Sequence, residues 1–481
     1  MPFHSTLFVF LFLPVSIVLY YLVHRSRVLS NITLLALSVV FYTWENRLYL
    51  APLAASIGID FTMARKIDAT SDPIARRQWL FISVFTNLAF LSFFKYGMWI
   101  ADELRGLAIL YPNYLAFLGL LPSLNIPLPP GISFYTFHSL SYIVDIYARK
   151  TKPHRSFLDY CNFVMFFPLL VAGPIERARN LLTQLSVVRP FPTPREISVA
   201  LSFIFWGLFK KLVFADNFEV IVVECASLRN SIEVILFGYA FAFQIYCDFS
   251  AYSDIARGTA RLFGIQLTRN FMTPFFADSP SDFWKRWHIS LSSWFRDYVY
   301  IPLGGSRLSL LKTVRNLFIT MTLCGIWHGS NITFLLWGIF HWLILSVYRI
   351  APLDVWLKRL FGESVGPWIA IVVFFNLNMV GWVLFRSESL AKFSSWASSM
   401  ASAFSGGFTP AGMDHNLLRL FLFFSLPVLL FELYSYLKNC EFTDLLTDMR
   451  PVTKAVLFVA MYFGIVLLGR RAGYGFIYFQ F

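Results

Sequence analysis

The chain has 481 residues, of which 57% are hydrophobic and only 14% are charged, and its formal net charge is +13. A soluble domain is about 45–50% apolar and about 25% charged, so the composition excludes an ordinary soluble protein. A net positive charge is also found in nucleic-acid-binding proteins, but in a membrane protein it more often reflects basic cytoplasmic loops. We therefore predict membrane lipid, and no nucleic acid, as a partner.

Long apolar runs recur along the whole chain. They lie at 7–23, 79–100, 366–385, 416–437 and 455–469. Because about 20 apolar helical residues cross the hydrocarbon core of a bilayer, these runs predict an all-α polytopic membrane protein. We expect roughly ten to thirteen transmembrane, re-entrant and interfacial helices. No soluble stretch is long enough to form a second domain, so residues 1–481 are expected to form a single membrane domain.

Basic loops predict the orientation of the N-terminal helices. The run at 7–23 is too long and too aromatic for a signal peptide, and no small-residue cleavage site follows it, so we interpret it as the first span. Arg25 and Arg27 lie directly after this run, and a second basic loop lies at 65–78. The two short segments between the loops return the chain to the same side. Both loops are therefore expected on the cytoplasmic side, with the N-terminus outside.

Signatures of metal and nucleotide chemistry are missing from the sequence. The five cysteines show no C-x-x-C spacing and most lie in apolar segments, so we interpret them as free buried thiols. The zinc motif H-E-x-x-H, the Walker A loop and G-x-G-x-x-G are also absent. These observations argue against metalloprotease and ATPase activities, and we predict neither a metal site nor a bound cofactor.

Polar patches interrupt the apolar runs, and a polar group at membrane depth is costly unless it faces protein or a cavity. The patch at 127–150 begins close to a Pro-Pro-Gly sequence, which fits the start of a helix. The patch at 166–180 holds two prolines and one glycine, which break a short apolar run before it can span the membrane. We therefore predict a re-entrant segment there, with Glu176, Arg177 and Arg179 at the surface.

Two later patches carry charged residues. Lys210 and Lys211 end an apolar run, so we predict that they mark the cytoplasmic face. Asp248 and Asp254 follow an apolar half-helix and should face protein or water, because carboxylates that face lipid are costly. Pairing with Arg257 or helix capping is the simpler interpretation of both, and Asp248 is also a candidate for binding a substrate.

The densest polar patch lies at 281–307. Ser281 is positioned to cap a helix, and the residues after it form an aromatic and apolar stripe at spacings of three and four, at Trp284, Trp287, Leu291, Trp294 and Tyr298. His288 lies at the margin of this stripe. The pattern is typical of a helix that lies in the membrane interface, and we predict that the helix ends before Pro302.

The basic residues of this predicted helix have two interpretations of equal weight. Lys285, Arg286 and Arg296 can anchor the helix to phospholipid headgroups. They can equally bind the phosphates of a coenzyme on the cytoplasmic side. In the second case Trp284 and Trp327 are the aromatic candidates for lining a donor-binding site.

Two histidines are the main candidates for chemistry. His328 lies in the otherwise apolar segment 327–342, three residues before Asn331. Histidine has an ordinary pKa of about 6.5 and exchanges protons at neutral pH, so His328 is a candidate general base, and Asn331 a candidate to orient the imidazole or a carbonyl. His288 is the second candidate. The competing interpretation is a structural hydrogen bond from His328, and we assign His341 a structural or interfacial role.

The histidine motifs carry a family resemblance. The stretch at 283–307, followed by WHGSNITFLLWGIFHW at 327–342, resembles the membrane-bound O-acyltransferases, and more closely their bacterial branch of alginate O-acetylation proteins. The resemblance extends over nearly the whole chain. It implies a ring of tilted helices around a central tunnel, with His328 as the catalytic histidine and His288 as a second histidine in the tunnel.

The resemblance also implies a function that composition does not give. It implies an O-acetyltransferase of the bacterial inner membrane with a periplasmic N-terminus. The acetyl group would come from acetyl-CoA, or from a carrier-protein thioester, on the cytoplasmic side. It would pass outward to an exopolysaccharide such as alginate, with the help of separate SGNH-type periplasmic proteins and polysaccharide secretion machinery.

Several alternatives stay open at the level of sequence. D-alanyl transfer from a carrier protein, a lipid or polysaccharide transporter without covalent chemistry, and a scaffold for secretion proteins would each need polar residues in the membrane. The identity of the polysaccharide, the donor and the oligomeric state are also undecided. The sequence does not determine whether acetyl reaches the sugar directly or through a partner.

Overall fold

A computed structural model gives the fold of the protein and describes residues 1–111, 128–171, 173–227, 231–405, 415–470 and 475–477. Residue 127 of the first polar patch and Ala172 of the second lie outside these ranges. Within them the chain forms helices and turns, with no strand. The residues group into two compact units, Phe10–Phe191 with Met1 and Phe263–Gln266, and Pro192–Leu262 with Pro2–Val9 and Leu267–Phe481. The single domain over 1–481 stays a prediction.

The first unit is built from helices of uneven length. In chain order these are α1 (Leu13–Leu22), α2 (Arg27–Thr43), α3 (Leu50–Ala69), α4 (Pro73–Leu110), α5 (Ile132–Tyr147), α6 (Phe157–Met165), α7 (Phe167–Leu170) and α8 (Ala178–Leu185). Helix α3 packs against α4 and α5, and α2 packs against α6. The start of α4 follows from its sequence, because the Asp72 side chain caps two backbone N–H groups and Pro73 occupies the first helical position.

The second unit holds the longest buried helices. They are α9 (Pro194–Phe209), α10 (Asp216–Ser227), α11 (Ser231–Leu262), α12 (Pro280–Arg286), α13 (Ile289–Phe295), α14 (Leu310–His328), α15 (Ile332–Ile350), α16 (Leu353–Arg386), α17 (Leu390–Ser405), α18 (His415–Lys438), α19 (Phe442–Asp448) and α20 (Pro451–Leu468). Helix α11 packs along α9, and α14 packs along α15. Phe8–Phe12, Lys210–Ala215 and Arg296–Tyr300 are π-helical turns.

The membrane character predicted from composition is confirmed. Among the described residues, seven helical stretches are long and apolar enough to cross a bilayer, namely Pro73–Leu107, Pro194–Ala226, Ile232–Leu262, Ile332–Ile350, Leu353–Arg386, His415–Lys438 and Pro451–Leu468. Phe8–Leu22 and Arg27–Thr43 are shorter apolar helices. The protein is therefore an all-α, multi-pass membrane protein, and the apolar run at 7–23 corresponds to one of its shorter helices.

The predicted surface position of Glu176 is wrong. Its side chain is fully buried, whereas Arg179 is exposed and Arg177 is half-buried. The backbone N–H of Glu176 donates to Nε2 of the buried His138 at 3.0 Å, and its carboxylate accepts from Asn180 Nδ2 at 2.6 Å. The Asn180 bond compensates the buried carboxylate and the His138 bond compensates the backbone N–H, and the proline and glycine pattern of the segment reveals neither partner.

Lys210 and Lys211 do not lie at the end of an apolar helix as predicted, and their assignment to the cytoplasmic face stays a prediction. Both side chains are buried, and they lie within the membrane-length stretch Pro194–Ala226 rather than at its end. Lys211 Nζ lies 2.9 Å from the Asp216 carboxylate and 2.8 Å from the Asp248 carboxylate. Charge pairing of this kind is what makes an ionised group tolerable at membrane depth.

Lys210, the residue before Lys211, forms a second ion pair. Lys210 Nζ lies 2.7 Å from the Asp254 carboxylate and donates to Ser250 Oγ at 2.8 Å. Asp254 also lies 3.8 Å from Arg257, so the predicted pairing of Asp254 with Arg257 is confirmed. The main partner of each aspartate on α11 is nevertheless a lysine that sequence analysis placed at the surface.

Helices α14 and α15 approach each other closely at two glycines. A Cβ atom on Gly325 would lie 2.4 Å from the Phe334 carbonyl oxygen and 3.1 Å from Gly338 Cα. A Cβ atom on Gly338 would lie 2.4 Å from the Met321 carbonyl oxygen. Small residues let helix backbones touch in a membrane, and here they fix the spacing between the two helices that carry the 327–342 motif.

We expect Gly325→Ala to destabilise the protein by about 1–3 kcal/mol, because the added methyl group overpacks a backbone contact. The measurement is the melting temperature of the purified protein in detergent. Gly58→Ala is the matched control, since a Cβ atom at Gly58 on α3 would meet no atom within 4 Å. Equal melting temperatures for Gly325→Ala and Gly58→Ala would contradict the close contact.

Candidate active site

The predicted interfacial helix over 281–298 is broken in the structure. Helix α12 ends at Arg286, Trp287 is extended, and His288 has a left-handed backbone with φ 40° before α13 begins. The helix is capped by Ser279 rather than by Ser281. Only two residues leave the helical conformation, so the aromatic spacing of three and four continues across the break and conceals it.

A neighbouring extended segment holds the two ends of this break. The backbone N–H of Met272 donates to the Arg286 carbonyl at 2.9 Å, and the backbone N–H of Ile289 donates to the Asn270 carbonyl at 2.9 Å. Part of the aromatic stripe packs inside the protein, with Trp287 3% exposed. Trp287, Leu291 and Trp294 are buried, whereas Trp284 and Tyr298 are half-buried, so the segment is a kinked element that is buried over only part of the stripe.

His288 lies at the centre of the kink in an aromatic pocket. Its side chain is 1% exposed. Its ring lies 4.6 Å from the Phe249 ring and 6.4 Å from the Trp327 ring, measured between centroids. Burial lowers the pKa of His288 to about 3. The imidazole is therefore neutral at physiological pH.

His328 is the last residue of α14. The backbone of Gly329 is extended and ends the helix there. The His328 side chain is buried, and its ring lies 4.8 Å from the Trp327 ring, 4.9 Å from Trp337 and 5.1 Å from Phe385. The histidine thus lies in an aromatic cage at a helix end, and its side chain has little contact with bulk water.

Trp327 is the residue that joins the two predicted histidines. Its ring contacts His328 at 4.8 Å and His288 at 6.4 Å. The structure therefore brings the two histidines, forty positions apart in the chain, to the same indole. Their assignment as catalytic residues stays a prediction.

Asn331 is occupied as the N-cap of α15. Its side-chain oxygen accepts from the Thr333 backbone N–H at 3.1 Å, and its amide donates to the Glu388 carbonyl. These contacts start α15 and attach it to the segment after α16. The predicted role of Asn331 in orienting an imidazole or a carbonyl stays a prediction.

His341 is more central than sequence analysis expected. It lies in the middle of α15 rather than at a segment end, and it is 1% exposed, so an interfacial position is wrong. Its ring lies 4.5 Å from Trp337 and 5.1 Å from Trp284. Both of its ring nitrogens lack a hydrogen-bond partner among the described residues. The four-residue spacing from Trp337 was the available signal that these two rings share a helix face.

Three of the predicted donor-binding residues come together. Trp284, Lys285 and Arg296 line one cavity of about 340 Å³, together with Ser292 and Ser293, whose hydroxyl groups donate to backbone carbonyls. The size is that of a small-molecule pocket. Both cationic side chains extend from the kinked element that also carries His288, so the cavity combines an apolar wall with positive charge.

Two other predicted donor-binding residues are engaged elsewhere. Arg286 pairs with Asp282 at 2.6 Å and donates to Thr273 Oγ1 at 3.0 Å. Asp248 pairs with Lys211 and accepts from the backbone N–H of Ile477 at 2.7 Å. Neither lines the cavity of Trp284.

The remaining chemical motifs give no second site. The letters G-x-S-x-G occur at 362–366, a match that sequence analysis overlooked, but they lie at a kink inside α16, where Gly362 has φ 78°. A nucleophile elbow needs a preceding strand, and the described part of the chain has none. Within that part, no group of three or more His, Cys, Asp or Glu side chains could hold a metal ion.

Comparison with known proteins identifies the family. Residues 146–391, which include both His288 and His328, match the model of the membrane-bound O-acyltransferase family. The probable alginate O-acetylase AlgI of Pseudomonas putida is 38% identical over 397 residues, covering 81% of this chain and 78% of that protein. The peptidoglycan O-acetyltransferase of Helicobacter pylori is 32% identical over 419 residues, covering 81% and 77%.

A more distant relative has a different acyl group in its name. The teichoic acid D-alanyltransferase of Bacillus subtilis is 28% identical over 276 residues, covering 54% of this chain and 68% of that protein. Together the fold and these matches define a multi-pass membrane acyltransferase. The chain belongs to the membrane-bound O-acyltransferase family, as its histidine motifs predicted.

Proposed function

We propose that the protein is an O-acetyltransferase of the bacterial inner membrane. It takes acetyl from a cytoplasmic thioester and passes it outward for O-acetylation of an exopolysaccharide such as alginate. The names of the relatives with the largest coverage, alginate O-acetylase and peptidoglycan O-acetyltransferase, support this choice. The observation that carries the mechanism is the pair His288 and His328, both buried against the Trp327 ring.

His328 is the general base of the proposed reaction. Its imidazole accepts the proton of the acceptor hydroxyl as that oxygen attacks the thioester carbonyl. The carbon–sulfur bond then breaks, and the imidazolium returns the proton to the leaving thiolate, so that ester and thiol are the products. The neutral His288 positions the acceptor or assists this proton transfer. The aromatic cage supports the scheme because it keeps water from competing with the acceptor hydroxyl.

The cavity of Trp284, Lys285 and Arg296 is the proposed contact region for the donor. Lys285 and Arg296, the latter paired with Asp297 at 2.9 Å, suit the phosphates of a coenzyme, and the apolar wall suits its arm. Acetyl-CoA is the proposed donor, with an acetylated carrier protein as the other possibility. SGNH-type periplasmic proteins and polysaccharide secretion machinery are the proposed partners. The basic residues after the first helix and at 65–78 support a periplasmic N-terminus.

D-alanyl transfer is the less supported alternative. The D-alanyltransferase relative covers 54% of this chain, against 81% for the acetylating relatives. A transporter without covalent chemistry is also less supported, because every relative named above is an acyl-transferring enzyme by its name.

The test is thioester consumption by the purified protein in detergent or nanodiscs. We expect free CoA to be released from acetyl-CoA when the protein and a periplasmic acetyl-accepting partner are both present. We also expect labelled acetyl to appear on the polymer. Heat-inactivated protein is the control. Consumption of a D-alanyl carrier protein but not of acetyl-CoA would replace acetylation by D-alanylation. Consumption of neither thioester by folded protein would contradict an acyltransferase of either kind.

A further inference from the structure

The side chain of Asn270 links the kinked element to helix α11. Asn270 is 1% exposed. Its Oδ1 atom accepts from Ser290 Oγ at 2.6 Å and from the Ser290 backbone N–H at 3.3 Å. Its Nδ2 group donates to Ser253 Oγ on α11 at 3.1 Å. Both polar atoms of this buried amide are therefore used, and two of their three bonds reach Ser290, the second residue after His288.

These bonds cap α13 from a distant part of the chain. The first N–H groups of a helix have no partner within the helix and need acceptors. His288 occupies the N-cap position of α13, but its side chain makes no capping hydrogen bond. The Asn270 carbonyl accepts from the Ile289 N–H and the Asn270 side chain accepts from the Ser290 N–H. The His288 imidazole is thereby relieved of the capping role that an N-cap side chain usually takes.

The same bonds impose an unfavourable backbone conformation on His288. Its φ of 40° lies in the left-handed region, which crowds the Cβ atom of any residue except glycine. Such conformations persist where the surrounding structure imposes them, and they concentrate at functional sites. The Asn270 contacts on Ile289 and Ser290 fix the chain directly after His288, while the Met272 contact fixes it directly before Trp287.

We propose that Asn270 is a positioning residue for acyl transfer. It holds the left-handed turn that directs the His288 imidazole toward Trp327, and so places His288 on the side of the site where His328 lies. This inference rests on the proposed function, because it needs His288 to act in the reaction. It adds a residue that carries no charge and does not titrate near neutral pH.

The first test compares three variants of the purified protein by kcat and KM for the acetyl thioester. Asn270→Ala removes the side-chain bonds to Ser290 and Ser253 but keeps the backbone bond to Ile289. We expect kcat to fall by about 10- to 100-fold with a nearly unchanged KM, since a small displacement of a catalytic group costs about that much. Asn270→Asp keeps an oxygen acceptor for Ser290 and should retain most of kcat. Ser253→Ala removes only the link to α11 and should stay within about threefold of the unsubstituted protein.

The decisive test is a double-mutant cycle with His288→Asn. If Asn270 acts through His288, then Asn270→Ala causes no further loss of kcat in the His288→Asn background. If the two losses multiply, Asn270 has only a structural role and the inference is overturned. Asn270→Ser takes the place of Asn270→Ala in the cycle if the alanine variant melts too early to purify. An unsubstituted protein that consumes no acetyl thioester would instead overturn the proposed function, so the two failures are distinguishable.

Discussion

Replacing His328 by asparagine is expected to lower the rate of acetyl-thioester consumption by about 10²–10⁴-fold, the usual contribution of a positioned general base. Asparagine preserves polarity and hydrogen bonding but cannot accept and return a proton near neutral pH. The aromatic cage around His328 strengthens the expectation, because Trp327, Trp337 and Phe385 leave little room for a water molecule to act as a substitute base.

The measurement is release of free CoA with the partner and acceptor present. His415→Asn is the matched control. This substitution makes the same chemical change at a histidine that is exposed at the start of α18, outside the site. The melting temperatures of both variants verify that they are folded. An unchanged rate in His328→Asn would remove His328 from the chemistry. An equal loss in the His415→Asn control would show that the effect is not specific to the site.

Replacing Lys211 by methionine is expected to destabilise the protein by about 3–5 kcal/mol, the typical cost of removing one partner from a buried ion pair. Lys211 is 1% exposed and lies within 2.9 Å of Asp216 and 2.8 Å of Asp248. Methionine fills a similar volume without charge, so both carboxylates would lose their cation in a region where water cannot solvate them. The protein must then protonate them or open to water.

The measurement is the unfolding midpoint in a detergent denaturation series. Lys392→Met is the matched control, since Lys392 pairs with Glu388, whose side chain is 64% exposed, and surface pairs contribute about 0–1 kcal/mol. Adding Asp216→Asn and Asp248→Asn to Lys211→Met should recover part of the loss, because the buried negative charge is removed. Equal unfolding midpoints for Lys211→Met and Lys392→Met would contradict a stabilising buried ion pair of Lys211 with Asp216 and Asp248.

The membrane class and the helices were predictable from this sequence, whereas the kink at His288 was not. Apolar runs report burial in lipid directly, and the predicted runs fall on helices of the described structure. The chain on either side of the kink is bonded to residues earlier in the sequence, Arg286 to Met272 and Ser290 to Asn270. The spacing of the aromatic residues does not reveal such contacts. Two non-helical residues hardly change the three- and four-residue spacing of the stripe.

The buried partners of the charged residues were not predictable for a related physical reason. Lys210 and Lys211 were assigned to the cytoplasmic face because they end an apolar run, and Glu176 to the surface because prolines and a glycine interrupt its segment. Their partners lie on other helices, such as Asp248 and Asp254 on α11. A buried charge is tolerated only when an opposite charge lies beside it, and a single sequence does not show which two residues meet. By contrast, His328 and His288 could be selected as candidates from the sequence alone, because an ionisable residue in an aromatic motif is visible without knowledge of its neighbours. Their catalytic roles stay a prediction.

The direct backbone contact between α14 and α15 has a consequence for how the enzyme can adapt. Gly325 and Gly338 leave no side-chain layer between these helices, so we expect the pair to behave as one rigid hairpin. His328 at the end of α14 and Trp337 on α15 then keep their mutual geometry when other parts of the unit shift. If His328 is the base, as proposed, a base held this way requires little reorganisation when the reactants arrive. We then expect that shortening Leu317 or Leu345, which line the cavity proposed for the donor, enlarges that cavity without displacing His328.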